Sequence, residues 1–183
     1  MKKVLAGILL LGILIISVGC KSDLTNVNSE TSPTRNKQLN SPEEVAAINV
    51  ESWFEEDFEK MLETYPSFRL RYRALSFAGN RNADIKTVAL AMSERYNSAR
   101  AVEILNTYIT EQRMFTEYTI YNELKEDYED ITIEEFKKIT DVATVKVDYS
   151  LTTGSETVVL DDELLCIKMD EKWYVLKDGA FTN

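Results

Sequence analysis

Apolar residues recur at helical spacing from Ala47 to about Leu124 and at alternate positions from Val145 onward, so the period itself divides the sequence. Ser41 opens a helix with three agreeing signals: a Ser cap, Pro42 at the first helical position, and Glu44 three residues after the cap. Ala47, Val50, Phe54, Phe58, Met61 and Tyr65 then keep helical spacing until Pro66 ends the run. Residues 67–77 fit two patterns. Phe68, Leu70, Tyr72 and Ala74 alternate with Arg69, Arg71 and Arg73 as in a strand, whereas Phe68, Tyr72 and Leu75 followed by Gly79 fit a short helix, which the helical flanks favour. Asp84 caps a further pattern through Ile85, Val88, Met92, Tyr96, Ala99, Val102, Leu105, Ile109, Met114 and Phe115, continued by Tyr118, Tyr121 and Leu124. No Gly or Pro interrupts residues 84–128, which predicts a long helix, broken near Asn97-Ser98 because such lengths seldom persist in a small globule.

Thr132 and Glu135 form a capping box, with Ile131 and Phe136 placed to staple it, predicting a short helix over 133–140. The alternation of Ile131 and Ile133 leaves a strand as the alternative there. From Val145 the period becomes two: Val145, Val147, Tyr149 and Leu151 share one face, with Thr144, Lys146, Asp148 and Ser150 on the other. Turns at 152–155 and 170–172 separate this strand from 157–169 and from 173–176. Residues 164–169 are apolar on both faces and so belong to a central strand, and Asp161-Asp162-Glu163 is expected to interrupt it as a bulge. The predicted fold is α+β, N-terminal helices packed on a C-terminal antiparallel β-meander.

The first 20 residues add a location. Lys2 and Lys3 precede an apolar run of 13 residues, 4–16, and the small residues Ser17 and Gly19 lead to Cys20. The run is shorter than the roughly 20 residues that span a bilayer and has the size of a secretory signal core. This stretch resembles the lipobox of bacterial lipoproteins, which implies that Cys20 is joined to diacylglycerol, its chains typically palmitate, and becomes the first residue after cleavage. Two acyl chains would hold the protein lastingly. The expected organisation is a signal peptide over 1–19, a lipid-anchored linker over 20–40 and one globular domain over 41–183, on the extracytoplasmic face of a cell membrane. Residues 21–40 are rich in Ser, Thr, Asn, Asp and Lys, too polar to order themselves, and would reach roughly 25 Å as a coil.

Charge narrows the partners. The chain has 21 Lys+Arg against 31 Asp+Glu, net −10, and losing Lys2 and Lys3 takes it to −12. Nucleic acid is therefore excluded as an expected partner, since binding it takes a basic footprint, and the anionic bilayer surface would repel the domain. The arginines at 69, 71 and 73 form the one dense basic patch; they are expected to pair with neighbouring acids, and clamping an anionic ligand is the alternative. The acids at 123, 126, 127, 129 and 130 lack the glycine of a calcium loop and are expected to be a solvated turn. The chain has no histidine, which removes His-based triads, His-ligated zinc and the usual near-neutral base; neither metal nor cofactor is expected. With Cys20 committed to lipid, Cys166 has no disulfide partner, and its apolar surroundings predict a buried, inert thiol.

The order of helices then meander, ending in Met169-Asp170-Glu171-Lys172-Trp173-Tyr174-Val175-Leu176, resembles the nuclear transport factor 2-like superfamily. The resemblance implies a conical fold whose concave sheet either encloses a small-molecule pocket or serves as a docking face. Two functions follow as expectations. The first is a non-catalytic module that binds a protein or cell-envelope component. The second is a small-molecule binder or an enzyme of lyase or isomerase type, with Asp148 or Asp162 as base and Tyr149 or Tyr174 holding an oxyanion, although each alternates with apolar neighbours as on a solvent face. The space between sheet and helices separates them. A polar cavity with a buried carboxylate would favour the second, and filling by Trp53, Phe54, Tyr149 and their neighbours would favour the first.

Overall fold

The computed structural model describes residues 39–96, 98–115, 124–125, 127–129 and 131–178. The signal segment, Cys20, the tether through residue 38, the expected break at Asn97, and Tyr118, Tyr121, Glu123, Glu126 and Asp130 lie outside the described residues. Four helices, α1 (Pro42–Phe54), α2 (Phe58–Glu63), α3 (Ser67–Ala78) and α4 (Ile85–Arg95), precede a sheet of β1 (Ala101–Met114), β2 (Ile139–Thr153), β3 (Glu156–Met169) and β4 (Lys172–Lys177). A single helical turn, α5 (Ile133–Phe136), leads into β2. The strands lie in the order β1-β2-β3-β4, each antiparallel to the next. The α+β architecture, helices first and meander last, is as the periodicity predicts.

The start signals act where they were read. The Ser41 hydroxyl accepts the Glu44 N–H at 3.1 Å, and the Thr132–Glu135 capping box is made in both directions. Residues 67–77 are helical, and Gly79 closes α3 in the left-handed conformation that glycine adopts without strain. Leu39 already belongs to the folded unit, since its carbonyl accepts the Trp173 N–H at 3.0 Å.

Four expectations are corrected. The run from Ser41 to Pro66 is two helices: Glu56 sits at φ 59° after α1, and Asp57 then caps α2 through the Lys60 N–H. The long helix over 84–128 stops at Arg95, and Ala101–Met114 is a strand. Register shifts between Ile104 and Asn106 and between Ile109 and Glu111 re-phase β1, so that Val102, Ile104, Thr107 and Ile109 are its partly covered side chains. Such bulges stretch a two-residue period toward a helical one, which is why Val102, Leu105 and Ile109 imitate a helix face. The helix over 133–140 is one turn, because Ile139 is already paired with Met169. Finally, β3 runs through Asp161-Asp162-Glu163 without a bulge, these residues pairing in register with Asp148, Val147 and Lys146.

The inward face of the sheet, with Ala143, Val145, Val147, Tyr149, Leu164, Cys166 and Val175, packs on Val45, Val50, Met61, Leu62 and Met92 of the helices. The alternate residues Val142, Ile167 and Leu176 form a second core with Phe68, Tyr128 and Phe136. Being covered on both sides, 164–169 is the central segment its composition predicts. Cys166 is fully buried, its Sγ 3.7 Å from the Pro42 carbonyl, and burial pushes its thiol up. None of the described helices is long and apolar enough to cross a membrane.

Candidate functional site

The α1–α2 turn creates an opening. α1 stops at Phe54, and the turn that follows is clamped to the segment entering β1. The Arg100 N–H donates to the Phe54 carbonyl at 2.8 Å, and the Ser98 N–H donates to the Glu56 carboxylate. Between this turn and the far end of the β2–β3 hairpin lies a cleft of about 340 Å³. Tyr149, Leu151 and Leu160 form its floor, and Trp53, Phe54, Phe58 and Tyr96 form its walls. Trp53 meets Tyr96 at 5.2 Å and Phe58 at 5.9 Å between ring centroids, and Phe54 meets Tyr149 at 5.2 Å, edge-to-face or tilted. Of the rings whose filling of this space was one of the two outcomes considered, Trp53, Phe54 and Tyr149 bound it and do not fill it. Trp53, Phe54 and Tyr96 are half-buried, Leu160 is 40% exposed, and Arg100 stands exposed at the rim. Such a surface offers flat apolar contact, with Glu56, Ser98 and Arg100 as the polar residues of its lining.

Beneath the floor, the Tyr149 hydroxyl donates to Asp162 at 2.9 Å, with both residues buried. Desolvation raises the Asp162 carboxyl above the usual carboxylate range, and burial with the Asp162 bond raises the Tyr149 phenol. The solvent-face expectation for Asp162 is thus corrected: on the unbroken strand it falls in phase with Leu160, Leu164 and Cys166, and points inward. Asp148 lies on the opposite face of β2 from Tyr149, and Tyr174 packs on the second core. Of the four residues named for acid–base work, only Asp162 and Tyr149 come together. The cleft is lined by Tyr149 and not by Asp162, so the carboxylate is spent on the tyrosine.

A polar cluster occupies the junction of α3 and β4. The Tyr65 hydroxyl donates to Asp178 at 3.0 Å, the Arg69 guanidinium donates to Asp178 and, at 3.1 Å, to the Val175 carbonyl, and Arg73 donates to Asp178 at 3.2 Å. The Arg69 guanidinium also stacks 3.8 Å from the Tyr65 ring centroid. Arg71 grips Glu135 with two bonds of 2.8 and 2.9 Å, which holds that carboxyl at about 2. The arginines therefore pair with acids as expected. Asp178 is the residue that sequence reasoning missed: nothing local marks an acid whose partners lie more than 100 positions away. Among the described residues no group of acids and cysteine is arranged to hold a metal.

No protein-family model matches the chain, and no curated protein matches it in sequence. A solved structure of an NTF-2 like protein of unknown function from Shewanella oneidensis MR-1 is similar in fold, with a TM-score of 0.36 and 15% identity over 73% of this chain and 90% of that one. So distant a likeness carries nothing about ligand or reaction, and the site is argued from its own geometry.

Proposed function

We propose that this chain is a lipid-anchored extracytoplasmic binding module, non-catalytic, whose recognition site is the aromatic cleft between α1, α2, α4 and the β2–β3 hairpin. The observation that carries this reading is the set of half-buried rings, Trp53, Phe54 and Tyr96, around an open space of about 340 Å³, within the range of about 300–1,000 Å³ typical of ligand sites. Large rings left uncovered forgo burial energy, and a ligand with a flat apolar portion restores it. The alternative of a lyase or isomerase finds Asp162 and Tyr149 side by side, but bonded to each other and with the carboxylate away from the cleft. The anchor rests on residues 1–20, and the tether of residues 21–40 would give the cleft reach beyond the head groups.

Two experiments test the parts separately. Titrating the full-length protein with 4-nitrobenzyl alcohol, a neutral aromatic quencher, should quench Trp53 saturably, because the second tryptophan, Trp173, is only 5% exposed. Leu160→Asp, at the exposed edge of the floor, should reduce this to ordinary collisional quenching. A linear, unsaturable response in the parent protein would defeat the cleft reading. Replacing Cys20 with Ser should release the protein from membranes or leave it unprocessed, and a processed, membrane-retained variant would defeat the anchor.

A further inference from the structure

The cluster at the α3–β4 junction is unbalanced in a way its structural role does not require. Its surroundings form a hollow of about 330 Å³ lined by Arg69, Tyr72, Arg73, Asp127, Tyr128, Lys177 and Asp178. Lys177 is matched by Asp127 at 2.9 Å, and the single carboxylate of Asp178 faces both Arg69 and Arg73. One positive charge is left over among the described residues. Asp178 cannot absorb it, because its Oδ2 already takes Tyr65, Arg69 and Arg73. An arginine carries five N–H donors in a planar fork, and Arg73 gives a single one to Asp178. Its Nε–H is buried with no partner among the described residues, while the side chain as a whole keeps 18% exposure. A buried donor without an acceptor is costly to leave, and costlier on a charged group.

A second hollow adjoins the first, sharing Tyr72, Asp127 and Tyr128, and adds Phe68 and Leu75 with one further charge of each sign, Arg81 and Glu129. Tyr72 and Leu75 stand 48% and 41% exposed on the α3 surface beside the guanidinium. Cation and apolar wall thus meet within one depression, on a chain whose net charge of −10 gives anions no long-range attraction. We infer that this depression binds a small oxyanion, a carboxylate or phosphate, attached to an aromatic or aliphatic body. The oxyanion takes the free edge of the Arg73 fork, and the body lies on Tyr72 and Leu75. The site is separate from the aromatic cleft and shares no residue with it.

The test is thermal unfolding of the full-length protein at constant ionic strength with phenyl phosphate, benzoate or inorganic phosphate, since a ligand that binds only the folded state raises the transition saturably. Phenyl phosphate and benzoate should do so, and inorganic phosphate should bind more weakly by about tenfold for want of the body. Arg73→Gln, which leaves Arg69 paired with Asp178, should weaken all three by about tenfold or more. Tyr72→Ala should lower phenyl phosphate to the level of inorganic phosphate and leave inorganic phosphate unchanged, which keeps the proposal testable should Arg73→Gln fold poorly. The absence of a saturable shift with any of the three in the millimolar range, or equal binding by parent and Arg73→Gln, would overturn it. Equal binding of phenyl and inorganic phosphate would overturn the assignment of the apolar wall.

Discussion

The two ends of the helical layer answer the same problem, how to finish a helix–sheet interface, in opposite ways. Where α3 meets β4, polar groups enter the core and are tied together: Tyr65, Arg69, Arg73 and Asp178 share their bonds, with Asp178 only 1% exposed at its side chain. Where the α1–α2 turn meets the β2–β3 hairpin, rings approach each other and stop short of closing. The closed end fixes geometry through charge, whose removal leaves an unpaired partner in a medium of low dielectric. The open end leaves apolar area in water, a small loss of stability that gives a surface able to bind. The charged cluster and the aromatic cleft thereby rest on different residues, with the burden of stability falling on Arg69 and Asp178.

That division can be broken at either end. The largest effect is expected from Asp178→Ala, which strands Arg69 inside the core and should cost about 3–5 kcal/mol in urea unfolding, with Trp53 quenching in the surviving folded fraction unchanged. A loss under 1 kcal/mol would mean that the cluster is not what closes this end. Trp53→Phe should cost only about 1 kcal/mol, since the ring is half-buried, yet weaken aromatic binding in the cleft; a large stability loss with binding intact would invert the comparison.

The smallest expected effects concern pH. Asp162 has its folded carboxyl raised, so its ionisation opposes folding, and this penalty is absent below the unfolded carboxylate range and grows as pH rises through the folded value. Asp162→Asn, which keeps an acceptor for Tyr149, should therefore stabilise the protein at pH 7 and lose that advantage toward pH 3. Glu135 behaves in the opposite sense. Its folded carboxyl is held at about 2, mainly by the Arg71 bonds, so its contribution is present above the unfolded value near 4.5 and fades as pH falls toward 2. Glu135→Gln should flatten that part of the acid limb, and an unchanged limb would show that the Arg71 pair adds nothing.

Local chemistry made the helix starts legible. Ser41, Asp84 and Thr132 each cap through their own hydroxyl or carboxylate to an N–H three residues on, so no distant partner is needed. The β2 face was equally legible because Val145, Val147, Tyr149 and Leu151 alternate without a bulge. β1 was not, because its bulges disguise the period and no Gly or Pro marks the change after Arg95. At the sites, Trp53, Phe54 and Tyr149 were read as a cluster, but whether rings close or leave a cleft depends on the turn at Glu56, a conformation the sequence does not announce. Asp162 had a usable signal, its phase with Leu164 and Cys166, which the acidic neighbours Asp161 and Glu163 obscured. Asp178 had none, since its role comes from an arginine and a tyrosine brought back across the whole domain.

The most direct test of the recognition site is residue-resolved NMR of the full-length protein titrated with benzyl alcohol, a neutral ring with no charge for the arginines to attract. The account predicts saturable shifts gathered on Trp53, Phe54, Tyr96, Arg100, Tyr149 and Leu151, with Tyr65, Arg69 and Arg73 unmoved. Shifts that are absent, or that gather on α3 and the end of β4 instead, would contradict it.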